Sequence, residues 1–186
     1  MAQNQVSLAF DPHVGLGYLT EQQRIHNRVL NHIGVSVSDA QATVDWYGKV
    51  FGFQLLGKVD HIKRSEDPDD GIFRIYPKSL QEVKLAKMVT GNGVGFEIFE
   101  FIDPKFEGAT KEFEYQRGGF FHICITDPNP EDLAAKVVAE GGKRVGSTVD
   151  PSRKGEITCL YLSDPWGNIV EVLDVGFEVM GLKSIL

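Results

Sequence analysis

Two histidines occupy matching places in two similar stretches of the sequence. His32 lies in "LNHIGVSVSD" and His122 lies in "FFHICITDPN". Both stretches alternate apolar and small residues, as expected of a strand whose successive side chains point to opposite faces. Each histidine is therefore predicted to share a strand face with small or weakly polar neighbours, such as Gly34 or Cys124. An imidazole on such a face can act as a metal ligand or carry a proton.

Two glutamates repeat in the same way. The stretch "GFEIFEF" aligns with "IVEVLDV", which places Glu97 on Glu171 and Glu100 on Asp174. Glu97 and Glu171 share their strand faces with apolar residues, where a carboxylate is costly unless it is paired or bound to a metal. Glu100 and Asp174 have the opposite parity and are the weaker candidates.

The two histidines and two glutamates together favour a metal site. One strand histidine alone is usually a hydrogen-bonded core residue, and one strand glutamate usually faces solvent. Recurrence of both types at both places instead indicates a mixed N/O ligand set for Zn, Ni, Co, Mn or Fe(II). The predicted ligands are His32, Glu97, His122 and Glu171. His61 lies beside a charged loop and is predicted to be exposed.

The elements that must position these residues repeat as βαβββ. In the first module, residues 29–103, Ser38 is the predicted N-cap of a helix that Gly52 terminates. The strands around it are "VLNHIGVSV", "QLLGKVDH", "EVKLAKMV" and "VGFEIFEFI". In the second module, residues 118–177, the helix "PEDLAAKVVAE" opens with proline at its first position. The strands around that helix are "FFHICIT", "KRVGSTVD", "ITCLYLSD" and "NIVEVLDV".

The predicted fold is α+β, with the curved sheets of the two modules around a metal cavity. Residues 1–28 form an N-terminal extension that could open a helix at "TEQQRIHNRVL", residues 104–117 a linker, and residues 178–186 a C-terminal tail. Residues 64–79 have no counterpart in the second module and are predicted to form an inserted loop, acidic at "SEDPDDG", that gates the cavity without supplying ligands. Arg153 and Lys154 belong either to a solvated turn or to a cationic lip for an anionic substrate.

Composition limits the classes of function. The formal net charge is −7 and the isoelectric point is near 5.2, which argues against nucleic-acid binding. No apolar run approaches the roughly 20 residues of a membrane span, and the N-terminus lacks the pattern of a secretory signal. A cytoplasmic location is expected. Cys124 and Cys159 fall in predicted strands and are expected to be reduced, buried thiols.

The stretches that carry the two histidines and two glutamates resemble those of the vicinal oxygen chelate superfamily, also called glyoxalase/bleomycin-resistance/dioxygenase proteins. The resemblance rests on "NHIGVSVSDAQATVDWYGKVFGF", "GVGFEIFEF", "FHICIT" and "LYLSDPWGNIVEVL" and covers about residues 29–177. It implies one strand histidine and one last-strand acid from each module around a divalent metal, which carries over to the four predicted ligands. A homodimer is compatible with this plan, as is pairing of the modules within one chain.

The members implied most directly are glyoxalase I-like lyases and methylmalonyl-CoA epimerase-like isomerases. They act on a small-molecule substrate by proton abstraction and enediolate stabilisation. Glu171 is the first choice for the catalytic base and Glu97 the second.

Two alternative functions are a non-catalytic binding module and an Fe(II)-dependent ring-cleaving dioxygenase of the extradiol type. The presence of four candidate metal ligands argues against a non-catalytic binding module. The dioxygenase is disfavoured because "DPSRKGEITC" lacks the histidine of the extradiol dioxygenase signature and because Glu97 would supply a fourth ligand.

Overall fold

The computed structural model describes residues 28–108 and 113–185 of the 186-residue chain. The helices and strands given below belong to one compact unit, His32–Leu186. Most of the helix predicted near residues 20–30 lies outside the described residues, and residues 28–31 carry no helix or strand.

The first module forms a five-stranded sheet. Its elements are β1 (His32–Ser36), α1 (Ala40–Phe51), β2 (Gln54–Leu55), β3 (Asp60–Lys63), α2 (Gly71–Ile75), β4 (Glu82–Val89) and β5 (Gly95–Asp103). The strand order is β1-β5-β4-β2, and β3 also pairs with β4. The first strand, β1, runs parallel to the last strand, β5, and the other pairings are antiparallel.

The second module repeats this topology with four strands. Its elements are β6 (Ile123–Thr126), α3 (Pro130–Ala139), β7 (Lys143–Val149), β8 (Cys159–Ser163) and β9 (Ile169–Leu173), followed by α4 (Phe177–Ile185). The order is β6-β9-β8-β7, again with the first strand parallel to the last. The predicted α+β class and the repeated module are confirmed. The segment predicted as a C-terminal tail is largely the helix α4.

Three local predictions for the first module need correction. The N-cap of α1 is Asp39 rather than Ser38, because the Asp39 carboxylate accepts the Ala42 amide at 3.0 Å. The strand predicted at "QLLGKVDH" is broken into β2 and β3, with Gly57 at φ 84° between them. The segment 64–79 is not simply a loop, because it contains α2. The predicted terminator Gly52 is confirmed, with φ 73°.

One hydrophobic core joins the two modules. Both long helices and the inner faces of both sheets contribute to it. Among its residues are Val37, Val44, Trp46, Tyr47, Val50, Phe96, Ile98, Leu133, Val137, Leu160, Leu162, Val170 and Val172. Hydrogen bonds also cross between the modules. Among them, Trp46 Nε1 donates to the Glu140 carbonyl at 2.8 Å, and the Tyr47 hydroxyl donates to Asp164 Oδ2 at 2.9 Å.

The glutamates lie on the sheet faces opposite this core. On β5, Phe96 and Ile98 are buried in the core, so Glu97 between them points to the other face. On β9, Val170 and Val172 are buried in the same way and flank Glu171. Within one chain, each ligand face therefore points away from the core that the modules share.

The described helices include none that is long and apolar enough to cross a membrane.

Candidate metal centre

The first histidine–glutamate pair lies across two neighbouring parallel strands. His32 is the first residue of β1, and Glu97 pairs in register with Gly34, two residues further along that strand. His32 Nε2 lies 3.5 Å from Glu97 Oε2, and the two side chains are 51% and 25% exposed. The sequence predicted both the residues and their common face.

The second pair has the same arrangement. Glu171 on β9 pairs in register with Cys124 on β6, and His122 immediately precedes β6. His122 Nε2 lies 3.3 Å from Glu171 Oε2, and the side chains are 26% and 15% exposed. His122 Nδ1 is buried without a hydrogen-bond partner among the described residues.

The spacing within both pairs suits a shared metal better than a direct hydrogen bond. A strong hydrogen bond from a ring nitrogen to a carboxylate is about 2.7–2.9 Å long. Two ligand atoms each about 2.1 Å from one metal lie about 3.0–3.4 Å apart at octahedral or tetrahedral angles. The observed 3.5 Å and 3.3 Å are close to the latter range. The residues of each pair therefore fit a divalent metal as neighbouring ligands.

The four predicted ligands occur as two pairs. Within the described residues, no group of three or more His, Cys, Asp or Glu side chains is arranged to hold a metal ion. The described residues thus contain two separate histidine–glutamate pairs, called half-sites below, and both pairs lie on sheet faces that point away from the shared core.

A cavity of about 660 Å³ adjoins the first pair. Glu97 and Phe99 line it from β5, and Lys87 lines it from β4. Residues of the segment 64–79 form another part of the wall, among them Glu66, Asp67, Asp70, Ile75 and Tyr76. Because Ile75 is 82% exposed, α2 presents an apolar side chain at this cavity.

A second cavity of about 410 Å³ adjoins His122. Phe113 and Phe121 line it, and their rings are 6.3 Å apart. The ring of Phe121 packs edge-on against His122 with centroids 4.6 Å apart, and Tyr161 contacts the same imidazole from 5.4 Å. The sequence analysis did not predict that Phe121 and Tyr161 pack around His122. The parity of "ITCLYLSD" does place Tyr161 on the same sheet face as Glu171.

Two thiols also lie beside Glu171. Cys159 is 3% exposed and its Sγ donates to Glu171 Oε1 at 3.1 Å. Burial, and then the neighbouring Glu171 carboxylate, raise the pKa of Cys159 to about 12. Cys124 is exposed, contrary to prediction, because it lies on an edge strand and on the face opposite the core.

The weaker candidates have other contacts. Glu100 Oε2 accepts the Ala40 amide at 2.9 Å and its Oε1 accepts Lys84 Nζ at 3.0 Å, so this glutamate neutralises the N-terminus of α1. Asp174 follows β9, and its Oδ1 is buried without a described hydrogen-bond partner. His61 is exposed, as predicted, and its Nε2 lies 2.6 Å from Glu82 Oε1.

The turn before β8 is organised by Asp150. Its carboxylate accepts the hydroxyl and amide of Ser152 and the amides of Gly155 and Ile157, which lowers the Asp150 pKa to about 2. Arg153 and Lys154 are exposed on this turn. This exposure fits a solvated turn and leaves the cationic lip as a prediction.

The fold agrees with comparisons to known proteins. The sequence model of the Glyoxalase/Bleomycin resistance protein/Dioxygenase superfamily matches residues 29–172. The chain belongs to this superfamily.

The chain is also similar to two curated lactoylglutathione lyases. It is 25% identical to the enzyme of Pseudomonas aeruginosa over 186 aligned residues, covering 92% of this chain and 97% of that protein. It is 25% identical to the enzyme of Escherichia coli O157:H7, covering 78% and 91%.

Solved structures share the fold at low sequence identity. A glyoxalase family protein from Bacillus cereus has a TM-score of 0.65 and 16% identity, covering 81% of this chain and 97% of that one. The fosfomycin resistance protein FosX from Listeria monocytogenes, solved with Mn(II) and sulfate, has a TM-score of 0.52 and 13% identity, covering 83% and 97%.

Proposed function

We propose that this protein is a metal-dependent lyase or isomerase of the glyoxalase type, acting on a small substrate with two adjacent oxygens. The observation that carries the proposal is the presence of two equivalent histidine–glutamate pairs whose N–O spacings of 3.5 Å and 3.3 Å suit neighbouring ligands of one metal. The similarity to lactoylglutathione lyases over most of the chain supports this class of reaction.

The complete centre in this proposal joins the two half-sites of different copies. His32 and Glu97 come from one chain, and His122 and Glu171 come from its partner. Both ligand faces point away from the core within a chain. The first pair is also partly exposed, which is expected of residues that a second copy would cover. Two copies related by a two-fold axis would form two such centres.

A divalent metal held by these four residues would polarise the two substrate oxygens as a Lewis acid. The proton transfer would be carried out by a glutamate side chain. A glutamate accepts the proton from a substrate carbon, and the electron pair of the broken C–H bond moves toward the adjacent oxygen. The same glutamate then returns the proton to the neighbouring carbon, so the reaction is redox-neutral. Glu171 and Glu97 are the two groups able to take this role.

Metal content tests the ligand assignment. Protein purified without chelator is expected to hold near-stoichiometric divalent metal by elemental analysis, and His122→Ala is expected to lose most of it. His61→Ala is the matched control, since His61 pairs with Glu82 outside the proposed centre, and should retain the wild-type content. Full metal occupancy in His122→Ala would refute the assignment.

Activity under two atmospheres tests the reaction class. The adduct of methylglyoxal and glutathione is the first probe, because the curated relatives are lactoylglutathione lyases. Equal turnover under argon and air, with Zn(II), Ni(II) or Co(II), is expected. Strict dependence on Fe(II) and oxygen with a catechol substrate would establish the dioxygenase alternative instead.

A further inference from the structure

The two half-sites differ in how their carboxylates are held. The two oxygens of Glu171 have separate partners: Oε2 faces His122 Nε2 at 3.3 Å, and Oε1 accepts the Cys159 thiol at 3.1 Å. Cys159 is 3% exposed and packs in a small cluster with Ile157 and Leu173. Its sulfur therefore has little room to move away from the carboxylate.

The described residues give the first half-site no such donor. Cys159 pairs in register with Leu173, two residues beyond Glu171, and the equivalent position in the first module is Leu85, which pairs with Phe99 two residues beyond Glu97. A leucine cannot donate a hydrogen bond. Among the described residues, only His32 is in polar contact with the Glu97 carboxylate, through Oε2.

The strand neighbours of the two glutamates differ as well. Tyr161 lies opposite Glu171, whereas the exposed Lys87 lies opposite Glu97. Cys124 lies on the other side of Glu171, whereas Gly34 lies on the other side of Glu97. Glu171 is thus enclosed by side chains, while Glu97 borders the 660 Å³ cavity.

We propose that Cys159 is a positioning residue, which fixes Glu171 through Oε1 so that Oε2 stays beside His122 Nε2, where the two residues would hold a divalent metal. Glu97, which lacks this support, would then be the carboxylate free to accept the substrate proton. This assignment rests on the proposed function, and it reverses the order of the two candidate bases expected from the sequence. Hydrogen bonds to ligating carboxylates orient them, and their loss commonly weakens metal binding about 10–100-fold.

Titration of metal-free protein with Co(II), in competition with a chelator, tests the positioning role. Cys159→Val places a small apolar side chain in the cluster but removes the donor, and is expected to weaken Co(II) binding about 10–100-fold. Cys159→Ser keeps a donor and is expected to stay near the wild-type affinity. Thermal unfolding of both metal-free variants separates loss of the hydrogen bond from loss of the fold.

Three results would overturn the proposal. Wild-type affinity in folded Cys159→Val would show that the thiol does not support Glu171. A sulfur-to-cobalt charge-transfer band in the wild type that Cys159→Ser lacks would make Cys159 a ligand. Unimpaired metal binding with lost turnover in Glu171→Gln, together with active Glu97→Gln, would return the base to Glu171. Absence of Co(II) binding in the wild type would instead refute the proposed function itself.

If Glu97 is the base, the two glutamate variants should differ in kinetics. Glu97→Gln should lower kcat about 10²–10⁴-fold, the usual contribution of a general base. Glu171→Gln should act chiefly on Co(II) affinity and be rescued in part by excess metal.

Discussion

At the scale of single residues, the contact between Tyr47 and Asp164 joins the two modules inside their common core. Tyr47 is 0% exposed and Asp164 is 3% exposed. Asp164 also accepts the amides of Trp166 and Asn168 and the side chain of Asn168, so it organises the turn between β8 and β9. The turn that precedes Glu171 is thereby tied to the helix of the other module.

Tyr47→Phe is expected to destabilise the protein by about 1.5–3 kcal/mol, the usual contribution of a hydrogen bond to a charged group. The ring remains, but a buried carboxylate loses one donor. Urea unfolding of the metal-free protein measures the change. Tyr115→Phe is the control, since Tyr115 is 65% exposed, and is expected to stay within about 0.5 kcal/mol of the wild type. Equal stability of the two variants would contradict the role given to the Tyr47 hydroxyl.

Residue parity predicted which side chains share the ligand faces but not what they contact. The recurrence of histidine and glutamate in both modules predicted that His32 lies beside Glu97 and His122 beside Glu171, because strand alternation is a local property. The role of Glu100 at the N-terminus of α1 depends on a contact across 60 residues of sequence. The thiol contact of Glu171 likewise depends on the register of β8 against β9, which composition does not encode.

At the scale of elements, the segment 64–79 is held against its sheet by a small core of its own. Ile72 and Phe73 of α2 pack with Leu80 and Val83, and the Arg64 guanidinium lies 4.4 Å from the centroid of the Phe73 ring. The sequence predicted a long acidic loop here because Asp, Pro and Gly dominate residues 65–71. It missed α2, whose five residues are too few to show a helical period.

Replacing residues 66–69 by two glycines is expected to widen access to the cavity beside Glu97, because Glu66 and Asp67 line it while α2 keeps its buried contacts. Turnover of the phenylglyoxal adduct should rise relative to that of the smaller methylglyoxal adduct, at unchanged metal content. The ratio of kcat/KM for the two adducts and elemental analysis provide the measurement. Loss of metal in this variant would reveal an overlooked ligand in the segment, contrary to the prediction that it only gates the cavity.

At the scale of the whole molecule, the repeat explains why one chain carries two half-sites. The helix-covered sheet faces merge into one core, which turns both ligand faces outward. The sequence predicted the two modules and a shared metal cavity but left open whether the modules pair within one chain or between two. That choice depends on which sheet faces are buried together, and this is a property of the packed tertiary structure.

Mixing two inactive variants distinguishes the two ways of pairing. If each centre joins the first module of one copy to the second module of another, His32→Ala and His122→Ala homodimers both lack a ligand in every centre. In the mixed dimer, one centre lacks both histidines, but the other combines the intact first module of His122→Ala with the intact second module of His32→Ala. Co-expression with two affinity tags, followed by tandem purification, should therefore recover one metal-binding, active centre per heterodimer. If the four ligands belonged to a single chain, the heterodimer would bind no more metal than either parent, and the two-copy centre would be wrong.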